Sequence, residues 1–373
     1  MFARTFAGSI GLTVVGLVVA LIYAGPTGLA VAAILGVLEI SLSFDNAVVN
    51  AGILKTMNPF WQKIFLTVGI VIAVVGMRLA FPLIIVGITA KLSPSQAINL
   101  ALDKGDPKTP GTYGYLLHEA HPAIAAFGGV FLLMLFLDFI LEERELTWLS
   151  WLERPLARIG KLDQLSVVVS LIAVSAAAYW FAPLHKISTV LLSGVLGMVS
   201  YILVNGLGEL FESAEEDSDD ELAAESSAMP AGSGGNGTLL LKAGKAAFFS
   251  FLYLEVLDAS FSFDGVIGAF AITADPIIIA IGLGLIGAPF IRSLTVYLVR
   301  QGTLDDYVYL EHGAQWAIGA LAVLLLFSIR FSIPEVVTGL IGIGFIGAAL
   351  VSSIVRNRRT AEPAEPALSS LAR

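Results

Sequence analysis

Cysteine is absent from the 373 residues of this chain. Its absence excludes disulfide bonds, thiolate metal centres and thiol redox chemistry, but leaves room for hard cations, which take oxygen ligands. Charged residues are also scarce, at 14% against the roughly 25% of typical soluble domains. Hydrophobic residues make up 57% of the chain. This combination predicts a membrane protein, whose first partner is the lipid bilayer.

The net charge of −9 says little about partners, because much of the acid lies in one run at 212–225. A Gly- and Ser-rich stretch follows, and we interpret 212–238 as a flexible linker. If the acidic run at 215–221 lay at the cytoplasmic opening of a transport pathway, it would attract cations weakly. A solvated linker is the simpler interpretation. No motif for nucleophilic or hydrolytic chemistry occurs, so we expect no enzyme. Nothing indicates nucleic-acid binding.

Long apolar stretches predict an all-α, polytopic bundle of about ten transmembrane helices, since about 20 apolar residues cross a bilayer. The distribution of Lys and Arg predicts cytoplasmic N- and C-termini in a bacterial inner membrane. The first stretch resembles a signal peptide, but its length and poor cleavage site favour a retained helix. The predicted spans are 6–24, 28–54, 64–88, 123–141, 165–181, 187–204, 246–272, 276–299, 314–329 and 336–355.

The linker divides the chain into two halves. Residues 1–211 form the first membrane repeat, with a polar outer loop at 91–121 and an amphipathic stretch at 142–164. Residues 239–356 form the second repeat, and 357–373 a disordered tail.

The halves share a motif. Glu39 to Asp45 and Asp258 to Asp264 both read acid, any residue, Ser, apolar, Ser, Phe, Asp. The motifs lie on the second and seventh spans, so they cross the membrane in opposite directions. This spacing predicts a five-plus-five inverted repeat, an arrangement that places the substrate site of many transporters between the repeats.

The motifs bring charge to the middle of the bilayer, where each ionised side chain costs at least about 2.5–3.5 kcal/mol on insertion scales. Internal neutralisation is one explanation, because an arginine follows each motif one span later. A bound cation is the other, since about three acids then remain without a basic partner. The arginines are either counter-ions or structural clasps. The acids are Glu39, Asp45, Glu255, Asp258 and Asp264, and the arginines are Arg78 and Arg292.

Helical spacing distributes the motif oxygens over two faces. In the first motif Glu39, Ser43, Asn46 and Asn50 share one face, and Ser41 and Asp45 share another. In the second motif the corresponding sets are Glu255, Asp258 and Ser262 on one face, and Ser260 and Asp264 on the other.

Acids six residues apart point about 120° away from each other on a regular helix. Either each motif helix therefore breaks, which Gly265 and Gly268 would ease in the second motif, or the two acids contact different neighbours. Mixed carboxylate, hydroxyl and amide oxygens suit Mn²⁺, Ca²⁺ or Mg²⁺. The motifs contain no Met, which argues against Cu⁺. We expect no tightly bound cofactor.

The outer loop holds a second candidate metal group in His118, Glu119 and His121. The two histidines are three residues apart, which would suit a helix. An ordinary polar loop is the alternative.

The motif segments resemble the two signatures of the TerC family. The resemblance rests on residues 38–47 and 258–276, and on 280–297 with its embedded Arg292. It implies metal-ion efflux, with links to Mn²⁺ export and tellurium resistance. It also implies that Glu39, Asp45, Asn46, Asp258 and Asp264 belong to the site. Gly265 departs from the family pattern, in which Ser-Ile-Pro is common at this point.

Together these features predict a secondary transporter that exports a divalent cation, above all Mn²⁺, by H⁺ antiport through midplane carboxylates. One alternative is an exporter of another small solute. Another is a membrane scaffold or assembly factor in tellurite resistance, which would have no use for five midplane acids.

Overall fold

The computed structural model describes residues 2–162, 164–226 and 244–361. Every regular element in these ranges is a helix, so the all-α prediction is confirmed. Two segments, π1 and π2, have the wider π-helical turn. The elements in chain order are α1 (Phe2–Leu42), α2 (Phe44–Leu54), α3 (Pro59–Val71), π1 (Ile72–Ala80), α4 (Phe81–Ala90), α5 (Pro94–Leu102), α6 (Tyr113–Leu141), α7 (Ser150–Ile159), α8 (Leu165–Trp180), α9 (Ile187–Ser226), α10 (Gly244–Ile272), α11 (Pro276–Ile279), π2 (Ala280–Gly287), α12 (Ala288–Gln301), α13 (Thr303–Asp306), α14 (Leu310–Ser328) and α15 (Glu335–Ala361).

Seven helices in the described ranges are long and apolar enough to cross a membrane. They support a polytopic membrane protein, but they do not confirm the predicted ten spans. The first predicted span and most of the second lie in helix α1, with the end of the second in α2. The fifth corresponds to the shorter α8. The seventh corresponds to α10, where several side chains lie outside the described ones.

The surface of the bundle agrees with a lipid environment. Large apolar side chains stand exposed on several helices, among them Val14, Ile22, Ile84 and Leu192. Water would disfavour so much exposed apolar surface, whereas hydrocarbon does not. The interior is built largely around α6, where Phe131 is fully buried.

Helix α1 is a hairpin of two arms. Gly25 has φ 67°, which glycine adopts without steric cost, and Pro26 begins the second arm, where a missing N–H is tolerated. Both arms contact π2, because Gly16 on the first and Gly36 on the second lie against Ile286. The separate first and second segments predicted from the sequence therefore exist as separate arms.

The two halves pack against each other through corresponding elements. Helix α1 of the first half packs against π2 of the second, and α10 of the second half packs against π1 of the first. Each π segment follows the motif helix of its own half. π-Helical turns are rare and occur frequently at functional sites.

The predicted outer loop is shorter than expected. Helix α5 occupies part of 91–121, and α6 begins at Tyr113, ten residues before the predicted span. The Thr112 side chain caps α6 by accepting a hydrogen bond from the Tyr115 N–H. This cap lets the first turns of α6 carry polar residues.

The remaining segments are largely helical. Helix α7 forms within the amphipathic stretch at 142–164, with Trp151 exposed and Glu153 buried. Helix α9 continues into the predicted linker as far as Ser226, and residues 227–243 lie outside the described ranges. Helix α15 extends into the predicted tail, whose residues 362–373 are likewise outside them.

Candidate functional site

The first motif lies at a break between helices. Ser43 alone separates α1 from α2, with φ −99° and ψ 21°. The second motif lies inside α10, which is continuous. A helix break is therefore confirmed for the first motif and is wrong for the second, even though Gly265 and Gly268 follow it.

A buried ion pair joins the first motif to π1. The Arg78 guanidinium donates a hydrogen bond from Nη2 to Oε1 of Glu39, and both side chains are almost wholly buried. Glycines of the other half leave the space that Glu39 occupies. A Cβ added at Gly287 would lie 2.3 Å from Cγ of Glu39, and one added at Gly265 would lie 3.2 Å from its Oε2.

A second buried cluster surrounds Arg292 on α12. Its Nη1 and Nη2 each donate to a carboxylate oxygen of Glu255 at 2.9 Å, and Nη2 also donates to Oδ2 of Asp258 at 3.2 Å. The guanidinium carbon lies 4.2 Å from the centre of the Phe65 ring, and Nη1 donates to the Phe65 carbonyl at 3.3 Å. A Cβ added at Gly69 would lie 2.3 Å from Nη1.

The two clusters are built in the same way. Each joins an acid and an arginine of one half, and each packs against residues of the other half. Phe65 and Gly69 of the first half surround Arg292, while Gly265 and Gly287 of the second half surround Glu39. Movement of one half against the other would therefore change the packing around both ion pairs.

The described side chains show how three of the five motif acids meet the two arginines. Glu39 is matched by Arg78, whereas Glu255 and Asp258 share Arg292. Three acids against two arginines leave one carboxylate in excess when all are ionised. The side chains of Asp45 and Asp264 lie outside the described ones, so the predicted larger excess stays a prediction.

The amide and hydroxyl candidates divide into three groups. Asn46 and Asn50 are both buried, and Oδ1 of Asn50 accepts no hydrogen bond from the residues that the structure describes. Ser260 is buried and donates to the carbonyl of Val256, while Ser43 is half-buried. The side chains of Ser41 and Ser262 are outside the described set.

No cluster of three His, Asp or Glu side chains suited to a metal occurs among the described residues. The predicted outer-loop trio is accordingly dispersed. His118 contacts the carbonyl of Gly114, Glu119 pairs with Lys186 at 2.7 Å, and His121 contacts the hydroxyl of Ser328. The sequence places these three residues close together, but their side chains have different partners.

A polar cluster that the sequence did not reveal surrounds Glu153 of α7. Its carboxylate accepts hydrogen bonds from the N–H groups of Trp148 and Leu149 and from Nε1 of Trp316. Nδ1 of His312 lies 3.2 Å from Oε2, within ion-pair range although not aligned for a hydrogen bond. Burial raises the pKa of Glu153, but these neighbours outweigh it and lower the pKa to about 2.

Another unpredicted contact lies at the opposite end of the bundle. Asp275 caps α11 by accepting from the N–H of Ile277, and its Oδ2 lies 2.7 Å from Nζ of Lys104. Hydrogen bonding to Asp275, with a smaller effect from Tyr23, raises the pKa of Lys104. This contact joins the α5–α6 turn to the start of α11. Neither it nor the Glu153 cluster has a signal in sequence spacing, because each joins segments far apart in the chain.

Comparison with known proteins gives one match. A family described as "Protein of unknown function (DUF475)" matches residues 44–360, which is most of the chain. No curated protein matches. No solved structure matches. The TerC likeness is not among these findings and stays a prediction.

Proposed function

The chain belongs to the DUF475 family, whose description assigns no activity, and from its site we propose a secondary transporter that exports a divalent cation. Mn²⁺ is the favoured substrate, with Ca²⁺ or Mg²⁺ as alternatives, and protons are the coupling ion. We place the protein in a bacterial inner membrane with both termini cytoplasmic. Its ten segments would form a five-plus-five inverted repeat.

One observation carries this proposal, namely the burial of two acid–arginine clusters on the motif helices. Glu39, Glu255 and Asp258 are each less than 10% exposed within helices that are otherwise apolar. Such groups are costly within a membrane, and they are typical of ion pathways and proton relays. A fold that needed only stability would be served as well by apolar side chains.

The arginines would act as internal counter-ions. With no metal bound, Arg78 pairs with Glu39, and Arg292 pairs with Glu255 and Asp258, whose combined charge it balances only in part. An entering divalent cation would compete for these carboxylates, together with Asp45, Asp264 and the carbonyl oxygen of Asn50. Protons would replace the metal on the return step.

The exchange of contacts between the halves supports an alternating-access mechanism. Each cluster lies where one half packs against the other, so a rocking motion would open and close both. The helix break at Ser43 and the two π segments are places where such a motion would be accommodated.

A second candidate function is the non-transporting scaffold, with a role in stress resistance. It is favoured by the pairing of each described motif acid with an arginine, as a structural clasp between helices requires. A scaffold would lose stability when these pairs are broken, but it would have no metal flux to lose.

The test is Mn²⁺ flux in proteoliposomes with an imposed proton gradient. We expect Asp45→Asn and Asp264→Asn each to abolish flux without reducing membrane insertion. Asp103→Asn, an exposed acid outside the motifs, is the matched control and retains flux. Normal flux in both motif variants at equal protein levels would contradict the site assignment, and no flux in the unmodified protein would favour the scaffold.

A further inference from the structure

A polar cavity of mixed charge, called the α6–α7 cavity below, lies where α7 meets the end of α6. Its volume is about 430 Å³, within the range of about 300–1,000 Å³ that is typical of small-molecule sites. The buried part of its wall comes from Ile140, Ala157 and His312. The exposed charged side chains of its lining are Glu142, Glu143, Arg144, Glu145, Arg154 and Arg158. The cavity therefore presents both signs of charge to one ligand.

Some of these charges are already paired within the protein. Arg144 pairs with Glu142 at 2.6 Å, and Glu143 pairs with Lys161 at 2.9 Å. The lining side chains that are charged but form no ion pair with a described residue are Glu145, Arg154 and Arg158. The cavity thus offers a ligand two guanidinium groups and one carboxylate.

The length of α6 places this cavity at the level of the lipid headgroups. Helix α6 has 29 residues, so it extends about 43 Å at about 1.5 Å per residue. A bilayer measures about 40–45 Å when its headgroup regions are included. The residues that follow Leu141 therefore emerge among the headgroups. Only residues 160–164 separate α7 from the next apolar helix, α8, so α7 stays at the same level.

Helix α7 carries an apolar stripe that faces away from the bundle. Glu153 and Ala157 are buried on one face, whereas Trp151, Pro155 and Ile159 are exposed and recur every four residues on the opposite face. Exposed tryptophan is typical of membrane interfaces. Such a stripe is the feature by which an amphipathic helix lies against the acyl chains at the membrane surface. Lipid therefore covers the outer face of α7.

The two arginines of α7 connect the cavity to this stripe. Arg154 and Arg158 line the cavity and follow Trp151 and Pro155 by three residues, so they border the stripe as well. Guanidinium groups bind phosphate oxygens through strong charge-assisted hydrogen bonds. A phospholipid phosphate held there would place its acyl chains along the stripe and the rest of its headgroup in the cavity. Glu145, which lines the same cavity, would then meet a positively charged headgroup.

We propose that the α6–α7 cavity binds a phospholipid whose headgroup carries one phosphate and one primary ammonium, as in phosphatidylethanolamine. Arg154 and Arg158 bind the phosphate, and Glu145 accepts hydrogen bonds from the ammonium. The site is separate from the buried arginine clusters, and it does not depend on the proposed transport. The bound lipid would hold α7 against the bundle, where Glu153 of the same helix accepts a hydrogen bond from Trp316 of α14.

The test is thermal unfolding of the full chain in detergent micelles that contain one phospholipid at a fixed mole fraction. Phosphatidylethanolamine is compared with phosphatidylglycerol, which is anionic and has no ammonium, and with phosphatidylcholine, whose quaternary ammonium has no N–H. All three carry the same acyl chains. We expect phosphatidylethanolamine to raise the melting temperature most, because a ligand that binds only the folded state stabilises it. Equal shifts for the three lipids, or the largest shift with phosphatidylglycerol, would overturn the proposal.

Variants assign the effect to the three side chains. Arg154→Gln and Arg158→Gln should each raise the half-saturating concentration of phosphatidylethanolamine about tenfold, as expected for the loss of a charge-assisted hydrogen bond. Arg330→Gln, at an exposed arginine after α14, is the matched control and leaves that concentration unchanged. Glu145→Lys should reverse the preference in favour of phosphatidylglycerol, a gain that a damaged fold would not produce. An unchanged preference in Glu145→Lys, or equal losses in Arg154→Gln and Arg330→Gln, would contradict the site.

Discussion

The two buried arginine clusters differ in the helices that carry them, since one lies on the continuous α10 and the other lies beside a helix break. Arg292 makes a two-pronged contact with Glu255, a further hydrogen bond to Asp258, and contacts with the ring and carbonyl of Phe65. Arg78 pairs with Glu39 next to the helix break at Ser43.

The difference suggests that the two halves have different roles in transport, one fixed and one moving. The Arg292 cluster lies on the unbroken α10 and would act as the fixed side of the site. The Arg78 pair lies between a helix break and a π segment and would act as the side that moves. Substitutions that affect both clusters equally would contradict this comparison.

The largest effect is expected from Arg292→Ala. It would leave Glu255 and Asp258 buried without a cation, and breaking a buried pair in this way costs about 3–5 kcal/mol. We expect the variant to lose its cooperative thermal transition in detergent. Arg78→Ala should lower the melting temperature by a smaller amount, because its partner Glu39 lies beside the helix break at Ser43, where the chain can adjust.

Arg300→Ala is the matched control for that experiment, because Arg300 is exposed near the end of the same helix. Its melting temperature should equal that of the unmodified protein. A smaller loss for Arg292→Ala than for Arg78→Ala would reverse the assignment of the fixed and moving sides.

An intermediate effect is expected where glycine makes room for Glu39. In Gly287→Ala the new methyl group would lie 2.3 Å from Cγ and 2.6 Å from Cβ of Glu39, so α1 itself must shift. We expect a destabilisation of about 1–3 kcal/mol, typical of overpacking, measured by thermal unfolding. Gly76→Ala is the control, since its methyl group would meet Ile72 at an ordinary 3.5 Å. Similar melting temperatures for the two variants would show that the contact is loose.

The smallest effect on stability is expected at Glu153, a buried acid whose described partners include no arginine. The lowered pKa of Glu153, about 2 against an ordinary 4.5, stabilises the fold above pH 4.5, and this contribution is lost as the pH falls toward 2. The full contribution is at most about 3.4 kcal/mol, and Glu153→Gln should remove only a small part of it, because the amide oxygen can still accept from the same N–H donors. We expect Glu153→Gln to lower stability at pH 7 and to flatten its dependence on pH between 4.5 and 2.

Tryptophan fluorescence can report this change, because Trp316 donates directly to the Glu153 carboxylate. Glu145→Gln, at an exposed position nearby, is the control and should keep the pH dependence of the unmodified protein. A Glu153→Gln variant that kept the same pH dependence would show that another group titrates in this range.

Much of the site composition was predictable from sequence. Residue types alone predicted the buried Glu39, Glu255, Asp258 and the two arginines. The division of the motif oxygens between helical faces stays a prediction, and in the first motif the break at Ser43 interrupts the register on which it depends. The helix break at Ser43 was one of two predicted alternatives. The continuous α10 excludes a break in the second motif, and the other alternative, that its two acids contact different neighbours, stays a prediction there. The family match confirms none of the assigned roles.

The contacts themselves were not predictable. Arg292 pairs with Glu255, 37 residues away, as well as with the motif residue Asp258. Which acid an arginine meets depends on the rotation of its helix about the helix axis. The local periodicity of the sequence does not specify that rotation. The same holds for Glu153 and His312, which come from an amphipathic helix and a distant span. The π turns arise from packing between halves, for which a single sequence carries no periodic signal.

The sequence by itself determined that the protein is helical and embedded in a membrane, and that it places acids at depths where charge is costly. Those properties depend on composition and local spacing, because the transfer free energy of a segment is a sum over its residues. Only the tertiary structure decided which acids the arginines neutralise and which helix faces border a polar cavity. Those properties depend on the mutual rotation of helices, which is set by side chains hundreds of residues apart.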